Sequence, residues 1–101
     1  MALNIQLITH PGPGVIDMLM TRMGASGKKT LEIVSFSAVG LVQGRLVDMI
    51  AAADIAEKAA AVHVFDLKGS CPQHLTMIGI FGEIAAVKTS LEAIQAQEGL
   101  G

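Results

Sequence analysis

The sequence predicts an α+β domain: a four-stranded, mainly antiparallel sheet with helices packed on it. Three observations carry that expectation. Leu3, Ile5 and Leu7 alternate with Asn4 and Gln6, the two-residue period of a half-buried strand. Leu46, Met49, Ala53, Ala56 and Ala60 recur at the spacing of a single helix face. Residues 62–67 (VHVFDL) and 75–81 are short apolar runs separated by a stretch that glycine and proline punctuate, the pattern of consecutive antiparallel strands.

Taken in order, the first strand is stopped by HPGPG, His10 to Gly14, and Pro13 suits a helix start, where its missing N–H is not needed. Val15, Met18, Leu19, Arg22 and Met23 then follow helical spacing up to Gly24. GASGKK reads as a loop, and LEIVSFSA, residues 31–38, is rich in β-forming residues and reads as the second strand. Beyond Gly40 and Gly44 comes the long helix, with Asp54, Glu57 and Lys58 off its apolar stripe. The third and fourth strands follow, and a last helix carries Ile84, Val87, Leu91 and Ile94 on one face, with Gly99 as its stop. The expected order is β-α-β-α-β-β-α, with the helices on one face of the sheet.

The chain of 101 residues makes one domain, 1–101, with no repeat or linker dividing it. Its composition excludes several roles. Although 51% of residues are hydrophobic, no apolar run approaches the roughly 18–20 residues that span a bilayer. The start lacks the pattern of a signal peptide, and a single cysteine makes no intrachain disulfide, so a cytoplasmic setting is expected. The net charge is −2, the seven Lys and Arg are scattered, and the chain has no Trp or Tyr, which argues against nucleic-acid binding. Only 16% of residues are charged, and so apolar a small chain is expected to hide its surface in an oligomer.

KGSCPQH, Lys68 to His74, holds the one cysteine. Cys71 and His74 are spaced to reach one metal ion, yet zinc or an iron–sulfur cluster normally draws on four ligands. On the residues alone, a lone cysteine is more often a small buried hydrophobe, and Cys-x-x-His is a weak motif.

Several segments together resemble a known family. LITHPG, Leu7 to Gly12, is similar to the strand end and turn of ethanolamine- and propanediol-utilisation permuted shell proteins. VDMIAAADIAEKAAAVHV resembles the first helix of the bacterial microcompartment shell domain, and GIFGEIAAVKTSLEAI the entry to its second. The expected order is that of the domain with its last strand and helix moved to the front, the circularly permuted class on a ferredoxin-like core. The resemblance implies a structural role, not an enzyme: a homohexamer tiling with other microcompartment shell proteins around encapsulated enzymes, with no membrane or nucleic acid involved. Ethanolamine-type members carry an N-terminal extension and a C-terminal tail that this sequence does not show, which implies a less covered pore.

In that family the loop between the third and fourth strands lines the six-fold pore, which would make Lys68, Gly69, Ser70, Pro72 and Gln73 pore-loop residues. The cysteine, proline and histidine look like those of divergent members associated with glycyl-radical enzyme (propanediol) microcompartments, for which an iron–sulfur cluster in the pore has been proposed. A ring of chains would bring the Cys71 thiols to one axis, where soft ligands select zinc, Cu(I) or iron–sulfur clusters. The expected cofactor is a 4Fe-4S cluster shared between subunits through Cys71, with His74 a secondary ligand and zinc ranked behind. Pro72 stiffens the loop, and Gly69 lets the backbone approach closely. Electron transfer across the shell is the expected use. The alternatives are a metal-free pore for small polar metabolites and a trimeric ferredoxin-like sensor.

The remaining candidates point elsewhere. His10 reads as a turn residue and His63 as a structural or interface histidine. Asp17, Asp48 and Asp54 are isolated carboxylates, GPG and GASGKK lack a full phosphate-loop pattern, and the methionines read as packing residues.

Overall fold

Alternation along each strand decides the architecture. In the computed structural model, which describes residues 3–69 and 75–100, the elements run β1 (Asn4–Thr9), α1 (Pro13–Thr21), α2 (Ala25–Ile33), β2 (Ala38–Arg45), α3 (Leu46–Ala59), β3 (His63–Leu67), β4 (Leu75–Gly82) and α4 (Ile84–Leu100). The four strands form one sheet in the order β1-β2-β4-β3, every neighbouring pair antiparallel. The α+β class and the four-stranded sheet are those the sequence predicts.

On β2, Ala38 and Val42 point to one face and Val39 to the other, and on β4 Ile78 and Ile80 oppose Phe81. The first face is covered by α3 and α4 through Met49, Ala52, Ala56, Val87, Leu91 and Ile94. The second receives Leu19 of α1, Met23 and Leu31 of α2 around Phe81. Phe81 meets Phe36 at 5.2 Å and Phe65 at 5.6 Å between ring centroids, both edge-on, the favoured geometry for aromatic pairs. Helices therefore lie on both faces, not one.

That difference comes from residues 25–38. Ala25–Ile33 is a helix where the sequence suggests a loop entering a strand, so the order gains a helix before β2. The β-forming Ile33, Val34 and Phe36 favour an extended reading, but Gly27 and Leu31, one helical turn apart, turn to the sheet. A Cβ on Gly27 would stand 3.3 Å from Met23 Cβ and 3.4 Å from Phe65 Cδ1. β2 then takes the segment through Gly40 and Gly44, which serve as sheet positions and not as punctuation. At Gly40 the reason is close approach: an added Cβ would lie 3.0 Å from Leu91 Cδ2 and 3.1 Å from Val87 Cγ1.

The other elements fall close to expectation. Pro13 occupies the first turn of α1. The stripe on α3 is rotated: Met49, Ala52 and Ala56 are buried, whereas Leu46 is 58% exposed. On α4 the buried residues include Val87, Leu91 and Ile94, and the helix continues through Gly99 to Leu100. His10 closes the β1 turn with φ 48°, its N–H donating to the Ser37 carbonyl over 2.7 Å, which is the turn role expected of it. Among the described residues, no helix is long and apolar enough to cross a membrane.

Candidate functional site at the root of the β3–β4 loop

β3 and β4 pair from His63↔Phe81 to Leu67↔Met77, and β2 ends against β4 at Arg45↔Leu75. Leu67 and Leu75, which flank residues 68–74 in sequence, thus stand at the end of the sheet where β2 gives way to α3. Leu67 is buried and fixes the outgoing strand, while Lys68 and Gly69 are exposed. The Lys68 N–H donates to the Arg22 carbonyl over 2.9 Å, tying the loop root to the end of α1. Ser70, Cys71, Pro72, Gln73 and His74 lie outside the described residues.

Around this root lies a cavity of about 330 Å³ lined by Arg22, Gln43, Asp66, Lys68, Thr76 and Met77, among others. Its wall is mixed: Leu67, Leu75 and Met77 stand beside two cations and one carboxylate. The Thr76 hydroxyl oxygen is buried and has no hydrogen-bond partner among the described residues. A buried hydroxyl without a partner costs stability unless water or a solute satisfies it.

On the face covered by α3 a second groove of about 450 Å³ runs between that helix and β3–β4. Leu46, Met49, Ile50, Ala53, Val64 and Ile78 give it an apolar lining, and Asp54, Glu57 and Asp66 edge it. Lys58 Nζ stands 2.8 Å from Asp54 Oδ2, one helical turn away. The hydrogen bond to Asp54, and then its charge, hold the Lys58 ammonium above its ordinary pKa.

The structure does not gather the other histidines here. His10 follows Thr9, which pairs with Ala38 at the start of β2, so it sits at the opposite end of the sheet from the loop. His63 is exposed on the edge strand β3, opposite Phe81. The sequence did not point to Arg22, Gln43, Asp66 or Thr76. The strand register, with Gln43 opposite Met77 and Asp66 opposite Ile78, and the bond from Lys68 to Arg22 bring them together.

The donor set tests the metal expectation. Among the described residues no three or more His, Cys, Asp or Glu are grouped to hold a metal ion, and the chain has one cysteine. A single copy therefore does not fit a cluster that takes four thiolates; only several copies sharing their Cys71 could supply the set.

Comparisons with known proteins follow this geometry. The family model described as "BMC domain" matches residues 38–99, from β2 to α4. The ligand-free structure of the GrpU microcompartment shell protein from Pectobacterium wasabiae is similar at 32% identity and a TM-score of 0.75, covering 91% of this chain and 99% of that one. The ligand-free GrpU shell protein from Clostridiales bacterium 1_7_47FAA is similar at 32% identity and a TM-score of 0.70, covering 95% and 92%. The fused permuted hexameric shell protein MSM0275 from the RMM microcompartment shares the fold at 18% identity and a TM-score of 0.69, over 94% of this chain and 44% of that one. No protein with a curated description matches the chain.

Proposed function

The chain belongs to the BMC-domain family of microcompartment shell proteins, and from that premise we propose that copies of it form a homohexameric tile whose central pore holds an iron–sulfur cluster on Cys71 of several subunits. Its role is structural, in the shell of a microcompartment. The cytoplasmic setting, the neighbouring shell proteins and the enclosed enzymes belong to the same proposal.

One observation supports it: β3 and β4 pair antiparallel and reach the same end of the sheet, and the residues that join them in sequence hold the chain's one thiol. In a ring that turns this end inward, each subunit contributes one thiolate. Four ligand positions do not match six-fold symmetry, so only some copies of Cys71 ligate at a time. The residues that hold the loop are Leu67, packed in the core, and Lys68, bound through its N–H to Arg22. His74 is the secondary ligand, with Ser70, Pro72 and Gln73 completing the pore loop. A bound cluster would supply one-electron redox chemistry, suited to passing electrons across the shell, and zinc would not.

The charged and hydroxyl-bearing side chains in the cavity at the loop root, Arg22, Asp66, Lys68 and Thr76, support a second reading, a metal-free pore for small polar metabolites. Iron and acid-labile sulfide assays with an absorption and EPR spectrum, on protein purified and reconstituted without oxygen, separate the two. Broad absorbance near ~400 nm with stoichiometric iron supports the cluster. Protein free of both elements leaves the metabolite pore.

A further inference from the structure

Three large hydrophobic side chains are exposed together at the start of α3: Leu46 at 58%, Val47 at 72% and Ile50 at 65%. A cluster of this kind on a small protein marks a surface that is covered in use. Leu46 and Ile50 form the outer wall of the α3–β3 groove, whose rim carries Asp54, Glu57 and Asp66, with no Lys or Arg among its described lining residues. Because β3 is an edge strand, this groove opens at one side of the sheet.

The same face has a second opening at the opposite side. Ile5 and Leu7 of β1, the other edge strand, and Leu91 of α4 line a groove of about 470 Å³ bordered by Lys88, Glu92 and Gln95. Ile5 and Leu7 are only partly covered while Leu91 is buried, and the border carries one cation, Lys88, beside the carboxylate Glu92.

We propose that these two surfaces meet between copies of this chain: the start of α3 on one copy, with Leu46, Val47 and Ile50, seats against the β1–α4 groove of the next, and Lys88 faces the acidic rim. The inference rests on the tile reading above and names the surfaces that build it. Apolar matter meets apolar matter, and Lys88 is opposed to Glu57 and Asp66, Asp54 being already paired with Lys58 on its own helix. The molecule is flat, 35 × 33 × 20 Å, and the two surfaces lie on opposite edges of one layer. A contact between two different surfaces is heterologous, and when its rotation closes it yields a ring. Such a ring supplies several copies of Cys71, which one chain cannot.

Cysteine cross-linking tests the pairing. In the full-length Cys71→Ser chain, Ile50→Cys and Glu92→Cys are introduced together and singly, oxidised, and run on non-reducing gels beside native mass spectrometry of the parent. Within one chain the two positions cannot join. Ser90 of α4 faces α3, donating to the Ala56 carbonyl, whereas Ile50 lines the groove on the β3 side and Glu92 the groove on the β1 side. Packed helices stand about 8–10 Å apart axis to axis, so positions facing opposite grooves exceed the roughly 7 Å between Cα atoms that a disulfide allows.

The double variant is expected to give a covalent ladder rising to a closed ring, with each single variant staying at monomer mass. A second pair, Val47→Cys with Gln95→Cys, guards against an exchange that merely loosens the assembly. A single variant that dimerises as readily would mean that like surface meets like, and would overturn the pairing. Both pairs failing to cross-link in a protein that is still oligomeric would overturn these surfaces and leave the tile standing. A monomeric parent would overturn both.

Discussion

Ser90 Oγ donates to the main-chain oxygen of Ala56 over 3.0 Å, at a contact between α4 and α3 where both residues are fully buried. A serine on an otherwise apolar helix face is thus a fastening between the two helices that cover one side of the sheet. Ser90→Ala is expected to lower stability by about 1 kcal/mol, the usual net worth of one internal hydrogen bond. Ser90→Leu, which adds bulk where no space exists, should cost about 1–3 kcal/mol. Urea unfolding of both variants measures the difference. A Ser90→Ala variant as stable as the parent would count against the hydrogen bond, and equal losses in the two variants would count against the tight packing.

Two glycines should respond in opposite directions to alanine. Gly40→Ala brings a methyl group to about 3 Å from Leu91 and Val87, and is expected to destabilise by about 1–3 kcal/mol. Gly14→Ala, inside α1 with nothing within 4 Å of the new atom, should stabilise by about 0.5–1 kcal/mol. Thermal melts of the pair check the signs.

His10 stands in the left-handed region. His10→Gly should keep or slightly raise stability, whereas the β-branched His10→Val should lose about 1 kcal/mol or more. If both exchanges give the same midpoint in urea, backbone conformation is not what selects the residue.

Cys71→Ser should abolish bound iron and the visible absorbance of anaerobically prepared protein while leaving its native mass unchanged. His74→Ala should lower iron occupancy less. Colour that survives the cysteine exchange would remove Cys71 as the ligand.

The exposed Lys58–Asp54 pair makes a pH-dependent contribution of known sign. The folded pKa of Lys58 is raised, so the contribution is complete below the unfolded lysine value and disappears as pH rises through the folded one. The difference in urea midpoint between the parent and Lys58→Met should be small at neutral pH and should vanish in strong alkali. A difference that grows with alkalinity would reverse the assignment.

Much of this molecule is legible in its sequence because strong patterns meet no competition. Alternation in β1, the apolar β4 and the proline at the start of α1 all stand where the residues suggest. Ala25–Ile33 is not legible, since its single buried residue, Leu31, makes no stripe and Val34 and Phe36 beside it favour a strand. Gly40 misleads for a related reason: its role is to admit Leu91, a neighbour more than forty positions away. The rotation of the α3 stripe, which exposes Leu46, also depends on where α4 lies. At the site, the loop and its thiol stand out in the sequence because cysteine is unique there. The polar part of the cavity wall at its root does not, since Arg22, Gln43, Asp66 and Thr76 come from four separate elements and connecting segments.

The bond from Lys68 to Arg22 reaches across a boundary in the chain, because Arg22 precedes the region shared with the wider family and Lys68 falls within it. Lengthening or shortening α1 by a residue would pull on the stalk of the thiol-bearing segment without altering any of its letters. The leading third of the polypeptide is thereby a lever on the root of the β3–β4 connection, able to shift where that strand pair ends while the common scaffold stays unchanged.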